Sequence, residues 1–142
     1  MSARSKARKR ALDVLYEADI RGVPSTEIMA ATVSRRSDEG QSALNDYVNE
    51  LVEGVLAHQG YIDELLGSYS MGWSLDRMPT VDRAILRIGA YELLWRDEVP
   101  DAVAISEAVN LAQDLSTDES ASFVNGLLAR LAELKPRLVI EK

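Results

Sequence analysis

Apolar residues recur along most of the chain in steps of three and four, a spacing that places them on one face of an α-helix. The first such stripe consists of Ala11, Val14, Leu15 and Ala18. The densest consists of Leu44, Tyr47, Val48, Leu51, Val52, Val55 and Leu56 and continues to Ile62, Leu65 and Leu66. The pattern predicts a first helix that ends near Gly22 and Pro24. It also predicts a long helix that starts near Ser42, with Gly60 as a candidate kink.

The segment between these two helices has a weaker pattern. Ser25 or Thr26 is suited to cap a short helix that ends near Val33. The following stretch, SRRSDEGQ (34–41), is polar and has no apolar period, so it is predicted to be a loop.

Three further stripes fill the second half of the chain. Their members are Val81, Ala84, Ile85 and Ile88, then Ile105, Ala108, Val109 and Ala112, then Phe123, Val124, Leu127, Leu128, Leu131 and Leu134. Val99-Pro100 ends the first of these helices, because proline disfavours a helical conformation in the preceding residue. Pro136 ends the last. No two segments pair convincingly as strands, so the sequence predicts an all-α fold of about seven helices in a single domain, residues 1–142.

The composition limits the class of protein. Of 142 residues, 46% are hydrophobic and 27% are charged, which is typical of a soluble globular chain. No run approaches the roughly 18 apolar residues of a membrane helix. The sequence has no cysteine, which excludes disulfides and thiolate metal sites and fits a reducing compartment. We therefore expect a cytoplasmic protein.

The residues give no indication of catalysis. His58 is the one histidine and is expected to be a partly exposed helix residue. Phosphate-binding loops, metalloprotease pairs and nucleophile elbows are missing from the sequence. Glu92 and Glu107 lie among apolar residues and are expected to be partly buried, in ion pairs with residues such as Arg83 or Arg87. The sequence predicts no catalytic residue, no metal site and no cofactor, and thus a protein that is not an enzyme.

The charge is distributed unevenly. The net charge is −7, yet five of the 16 lysines and arginines lie within the first ten residues: Arg4, Lys6, Arg8, Lys9 and Arg10. The other 132 residues carry 11 basic and 23 acidic groups, a net of −12. Five cations at a helix N-terminus oppose the helix dipole, so helix stability does not explain this basic arm, residues 1–10.

The helical period places the arm relative to the first apolar stripe. At about 100° per residue, Lys6, Lys9, Arg10 and Tyr16 fall on the solvated side of the helix, and none of the five basic residues is expected on the stripe. An exposed tyrosine beside lysines and arginines combines stacking with phosphate attraction, as proteins that bind single-stranded nucleic acid do. The arm is therefore predicted to make a local contact with RNA.

Several segments resemble the NusB family of bacterial transcription antitermination factors. They are ILRIGAYELL (85–94), VP (99–100), VAISEAVNLA (103–112) and SFVNGLLARL (122–131), together with the basic RSKARKRALDVLYEAD (4–19). The resemblance extends over essentially the whole chain and is weakest in residues 20–45. It implies an all-α fold of two packed helical bundles. It also implies that the protein binds the boxA element of nascent ribosomal RNA together with ribosomal protein NusE, in a larger complex with NusA, NusG and RNA polymerase.

The resemblance also implies site residues. RNA contacts carry over to Arg4, Lys6, Arg8, Lys9 and Arg10, to Tyr16, and to Phe123 at the start of the last helix. Asp82 is the expected contact with the protein partner. Lysine replaces arginine at positions 6 and 9 and supplies a point charge instead of a planar fork. The arm is therefore expected to attract phosphate.

Other functions stay open at this point. A similar domain helps bind RNA in a ribosomal RNA cytosine methyltransferase, where it precedes a catalytic domain. A helical adaptor whose basic arm meets an acidic protein is another alternative. A homodimer is compatible with the sequence.

Overall fold

The computed structural model describes residues 2–140, and these residues form helices connected by short loops, with no strand among them. The six α-helices are α1 (Ala3–Arg21), α2 (Ser25–Asp38), α3 (Asp46–Tyr69), α4 (Thr80–Trp95), α5 (Asp101–Leu115) and α6 (Asp118–Leu134). Single-turn 3₁₀ helices at Leu75–Arg77 and Lys135–Arg137 complete the described elements. The all-α prediction is confirmed, and six α-helices are close to the expected seven.

The chain divides into two compact units at the bond between Ala57 and His58, within α3. The first unit contains α1, α2 and the first half of α3. The second contains the rest of α3 and α4 to α6. The assignment of residues 1–142 to a single domain stays a prediction.

Helix α1 is defined by signals at both ends. The Ser2 hydroxyl accepts a hydrogen bond from the Ser5 amide at 3.0 Å, which satisfies one of the free N–H groups of the first turn. Gly22 ends the helix with φ of 67°, a left-handed conformation that glycine adopts without a steric penalty. Because α1 begins at Ala3, the five basic residues of the arm are themselves helical.

Helix α2 is longer than predicted. It runs to Asp38, so residues 34–38 are helical and the loop predicted there was wrong for these residues. This last part of α2 lies mostly at the surface and therefore lacks an apolar period, although none of its residues breaks a helix. Neither Ser25 nor Thr26 caps α2, because Pro24 occupies the cap position.

Helix α3 runs from Asp46 to Tyr69 and is continuous through Gly60. It starts four residues after Ser42, where the Asn45 side-chain oxygen accepts a hydrogen bond from the Tyr47 amide at 2.8 Å. Most of the predicted stripe is buried, including Val48, Leu51 and Val55. In the first unit, the buried apolar residues are Ala7, Ala11, Leu12, Val14, Leu15, Ala18, Ile28, Tyr47, Val48, Leu51, Val52 and Val55.

In the second unit, α4, α5 and α6 pack against one another. Gly89 of α4 allows this close approach, because a β-carbon at this position would lie 2.7 Å from Cδ1 of Leu128 and 3.4 Å from Cβ of Ala108. Leu128 is buried, so it has little room to move aside. The residue at position 89 is thus small because two neighbouring helices occupy the space of a side chain.

A bidentate ion pair joins α3 and α4 within the second unit. Nε and Nη2 of Arg87 each donate a hydrogen bond of 2.9 Å to the Asp63 carboxylate. Both side chains are largely shielded from water, so this pair is screened less than a surface pair. Glu92 is 1% exposed, more deeply buried than expected, and Glu107 is half-buried as expected. The sequence suggested Glu92 or Glu107 as the carboxylate for Arg87 and did not suggest Asp63.

Candidate nucleic-acid interface

The five basic residues of the arm all lie on α1, but they differ in exposure. Arg4, Lys6 and Arg10 are exposed, and Lys9 is half-buried. Lys9 Nζ lies 2.7 Å from Oδ1 of Asp13, one turn further along the helix. This pair offsets part of the charge of Lys9 at the surface. Lys6 and Arg10 are therefore the arm residues with the most accessible charge on the solvated side.

Arg8 departs from the expected arrangement. Its side chain is buried, with an exposed fraction of 3%. Ala11, Leu12 and Leu15 follow it by three, four and seven residues, so position 8 lies on the buried face of α1. The expectation that none of the five basic residues lies on the apolar stripe was wrong for Arg8. The spacing of Arg8 from these apolar residues already indicated a buried position, although its positive charge favoured an exposed one.

Tyr47 explains how a cation is accommodated on this face. The Arg4 guanidinium lies 4.2 Å from the centre of the Tyr47 ring, and the Arg8 guanidinium lies 5.9 Å from it. The negative face of an aromatic ring attracts a cation at such distances. Tyr47 itself is buried at the start of α3. Two arginines of the arm are therefore positioned by an aromatic residue that was expected only to fill the core.

Tyr16 is on the solvated side, as predicted, with 41% of its surface exposed. It follows Lys9 by seven residues, which places it on the same side of α1 about 10 Å further along the axis. Asp13 and Glu17 lie on this side as well. Glu17 is paired with Arg21 at 2.9 Å, and Asp13 is paired with Lys9. The solvated side of α1 is thus basic near the start of the helix, and the charged residues around the exposed Tyr16 ring form ion pairs.

Phe123 lies near the start of α6 in the second unit and is half-buried. Its ring centre is 4.9 Å from that of Trp73, with the planes tilted by 52°. Trp73 lies in the loop after α3 and was not among the predicted site residues. The sequence could have indicated Trp73, because it is an aromatic residue that directly follows Gly72 and belongs to no apolar stripe. An RNA contact at Phe123 stays a prediction.

Asp82 is buried, with no exposed surface, in the first turn of α4. The Ser120 hydroxyl in the first turn of α6 donates a hydrogen bond of 2.6 Å to its Oδ2. Ser120 also receives hydrogen bonds from the hydroxyls of Ser116 and Thr117, both 3.0 Å long. The carboxylate thus connects the starts of two helices within the second unit. Asp82 as the contact with the protein partner stays a prediction.

His58 is half-buried, in agreement with the expected partly exposed helix residue. Its ring stacks on Trp95 with centres 4.1 Å apart and planes 15° from parallel. Tyr61 meets the same tryptophan edge to face at 6.2 Å. Within residues 2–140, no three histidine, aspartate or glutamate side chains are grouped so that they could hold a metal ion. None of the helices in this part of the chain combines the length and apolar character needed to cross a bilayer.

The described residues thus define an all-helical protein whose first helix presents basic and aromatic side chains to solvent. The model of the NusB family matches residues 5–133. The chain belongs to the NusB family.

Relatives at high identity agree with this assignment. The transcription antitermination protein NusB of a Nocardioides species is 59% identical over 97% of this chain and 99% of its own length. The protein of the same name from Thermobifida fusca is 55% identical over 96% of this chain and 93% of its own length.

Solved structures support the fold. NusB of T. maritima superposes with a TM-score of 0.81 at 29% identity, covering 97% of this chain and 99% of the other. A structure of the antitermination factors NusB and NusE in complex with dsRNA contains a chain with a TM-score of 0.80 at 27% identity. That match covers 94% of this chain and 98% of the other. The predicted family and fold are confirmed.

Proposed function

We propose that this protein is a transcription antitermination factor that binds boxA-containing single-stranded RNA together with ribosomal protein NusE and so supports processive transcription of ribosomal RNA. The observation that carries the proposal is the solvated side of α1 in a chain of the NusB family. It presents Lys6 and Arg10 near its start and Tyr16 further along.

The chemistry of this side suits a single strand. Lysine and arginine neutralise phosphates and release counterions, and this release supplies much of the affinity for RNA. The exposed Tyr16 ring offers a face on which an unpaired base can stack. Arg4 is exposed as well, while its guanidinium lies over Tyr47. We assign phosphate contacts to Arg4, Lys6, Lys9 and Arg10. We assign to Arg8 the positioning of the arm through Tyr47.

The protein partner is supported by similarity. A structure whose NusB chain is 27% identical to this one contains NusE and double-stranded RNA in the same complex. The acidic remainder of the chain suits a basic protein surface. We keep Asp82, at the start of α4, as a proposed contact with NusE, and because its carboxylate is buried we add exposed acidic residues outside α1 to this contact. Phe123, whose ring lies tilted against that of Trp73, stays the proposed aromatic contact of the second unit.

The wider role follows from the same family. We propose that the complex with RNA and NusE joins NusA, NusG and RNA polymerase in the cytoplasm, and that the protein acts by binding and not by catalysis. We further propose that the two compact units work as one domain. Self-association to a homodimer remains an additional property to be measured by sedimentation.

Fluorescence anisotropy with a labelled boxA RNA tests this function. The protein alone should bind boxA RNA more tightly than an RNA of the same length and composition in scrambled order. Addition of NusE should tighten binding to boxA RNA and leave the scrambled RNA little changed. The discrimination between the two RNAs serves as the control for non-specific attraction to phosphate.

The same experiment distinguishes the alternatives. Binding to NusE without any binding to either RNA would favour a protein-binding adaptor and would contradict the proposal. A change in the mass of the RNA after incubation with the pure protein and a methyl donor would contradict a role in binding alone. The two relatives described above are named as antitermination proteins and are matched over nearly their full length, which favours the antitermination role.

A further inference from the structure

Helices α1 and α2 of the first unit enclose a pocket of about 300 Å³ with a mainly polar lining. Three arginines lie on its wall: Arg10 from α1, and Arg35 and Arg36 from α2. The acidic residues on the wall are Asp13, Glu17 and Glu39. The balance between these two sets decides whether the pocket attracts an anion.

Two of the three carboxylates have cationic partners that do not line the pocket. Asp13 is paired with Lys9 at 2.7 Å, and Glu17 is paired with Arg21 at 2.9 Å. With these partners included, Glu39 is the one wall carboxylate left to balance three guanidinium groups. The pocket is therefore positive in sum, although the whole chain is acidic.

The geometry of the arginines favours a ligand with several oxygen atoms. Arg36 donates two hydrogen bonds, at 3.1 and 2.7 Å, to the Ser42 carbonyl, so its guanidinium is held in place by the loop after α2. Arg35 is exposed, and Arg10 is exposed on the solvated side of α1. Guanidinium groups match the oxygens of a phosphate through parallel hydrogen bonds, and a fixed guanidinium loses less freedom on binding.

We propose that this pocket binds a phosphate group of the RNA, so that the RNA-contact surface extends from α1 onto α2. The proposal rests on the proposed function, since Arg10 belongs both to the arm and to the pocket. It adds Arg35 as a phosphate contact in the region of the sequence that resembles the family least. Arg36 supports the site from its fixed position.

Arg35→Ala tests the proposal, because this side chain is exposed and its removal leaves the core of the first unit intact. Binding to boxA RNA is measured across a range of salt concentrations. Loss of one phosphate contact should reduce the magnitude of the negative slope of log K against log salt by about 0.7, the value per contact for a single strand. The affinity should fall about fivefold, as expected for the upper end of exposed ion pairs.

Two further variants make the result specific. Arg35→Lys keeps the charge, so its salt slope should equal that of the wild type. Arg130→Ala removes an exposed arginine from the second half of α6 and serves as the matched control. It should leave slope and affinity unchanged. If Arg35→Lys and Arg35→Ala reduced the magnitude of the salt slope equally, the proposal would be overturned, because the effect would then not follow the charge.

The outcome also separates this proposal from the proposed function. If Lys6→Ala weakens RNA binding while Arg35→Ala changes neither slope nor affinity, the pocket does not bind phosphate and the arm remains the RNA contact. If the wild-type protein binds no RNA with or without NusE, both proposals are wrong. A reduced slope in Arg35→Ala with an unchanged slope in Arg130→Ala supports the pocket.

Discussion

The guanidinium of Arg4 lies 4.2 Å from the centre of the Tyr47 ring, so the start of the first helix is held against the start of the third. A cation over an aromatic face at an exposed site contributes about 0.5–1 kcal/mol. This contact gives the arm a defined position, although four of its five basic side chains reach solvent at least in part.

A double-mutant cycle of Arg4→Ala and Tyr47→Leu should give a coupling energy of about 0.5–1 kcal/mol in urea unfolding. Leucine keeps the apolar contact but removes the charge distribution of the ring. The cycle of Lys6→Ala with Tyr47→Leu is the control and should give a coupling near zero. Equal coupling in both cycles would contradict a specific contact between Arg4 and Tyr47.

Leu51→Ala should lower the free energy of unfolding by about 2–5 kcal/mol, because Leu51 is fully buried in α3 and the truncation leaves a cavity. Leu56→Ala on the same helix removes the same atoms from a side chain that is 38% exposed, and its cost should be clearly smaller. Chemical denaturation measures both. Similar losses of unfolding free energy in the two variants would show that the burial of Leu51 does not determine its contribution to stability.

Ser120→Ala should destabilise the protein by about 1–3 kcal/mol, because the Asp82 carboxylate would lose the buried hydrogen bond that it accepts at Oδ2. The other oxygen, Oδ1, is buried and has no hydrogen-bond partner among the described residues. Ser122→Ala is the matched control, since this serine lies on the same helix and is exposed. Thermal melts of the two variants that coincide would contradict a structural role for the Ser120–Asp82 pair.

Neutralising the accessible arm should weaken RNA binding and leave the fold intact. The change is Arg4, Lys6, Lys9 and Arg10 to alanine, with Arg8 retained because it is buried. If three of the four contact phosphate, the magnitude of the negative slope of log K against log salt should decrease by roughly two, at ~0.7 per contact. Circular dichroism checks the fold. A variant that binds RNA as tightly as the wild type and with the same slope would overturn the role of the arm.

Tyr16→Ala should behave differently from the arm variant. Removing a stacking ring should cost about 1–3 kcal/mol of RNA binding and leave the salt slope nearly unchanged, since no charge is lost. Tyr16→Phe keeps the ring and should retain most of the affinity, which makes it the matched control. Binding curves measured at two salt concentrations are sufficient. A loss that disappears at high salt would indicate an electrostatic effect and not stacking.

The periodicity of apolar residues was sufficient to predict the helical class, most of the core and the solvated side of α1. A side chain such as Leu51 or Val55 is buried whichever element covers it, so its polarity and spacing suffice. The basic cluster and Tyr16 were found for the same reason, because a local helical period orders them on one side. Local signals failed for residues 34–38, where an exposed helix and a polar loop have the same composition.

The partners of the polar side chains depend on residues far apart in the chain. Ser120 and Asp82 are 38 residues apart, and Arg87 and Asp63 are 24 apart. Tyr47 lies on a different helix from the two arginines that it accommodates. Burying a charged or polar group is favourable only where a specific partner compensates its lost hydration. Helical spacing gives the side of a helix on which a residue lies, but the compensating group comes from whichever helix packs there. That packing makes Asp82 a buried connection between two helix starts, and it places Arg8 in the interior although its charge favoured an exposed position.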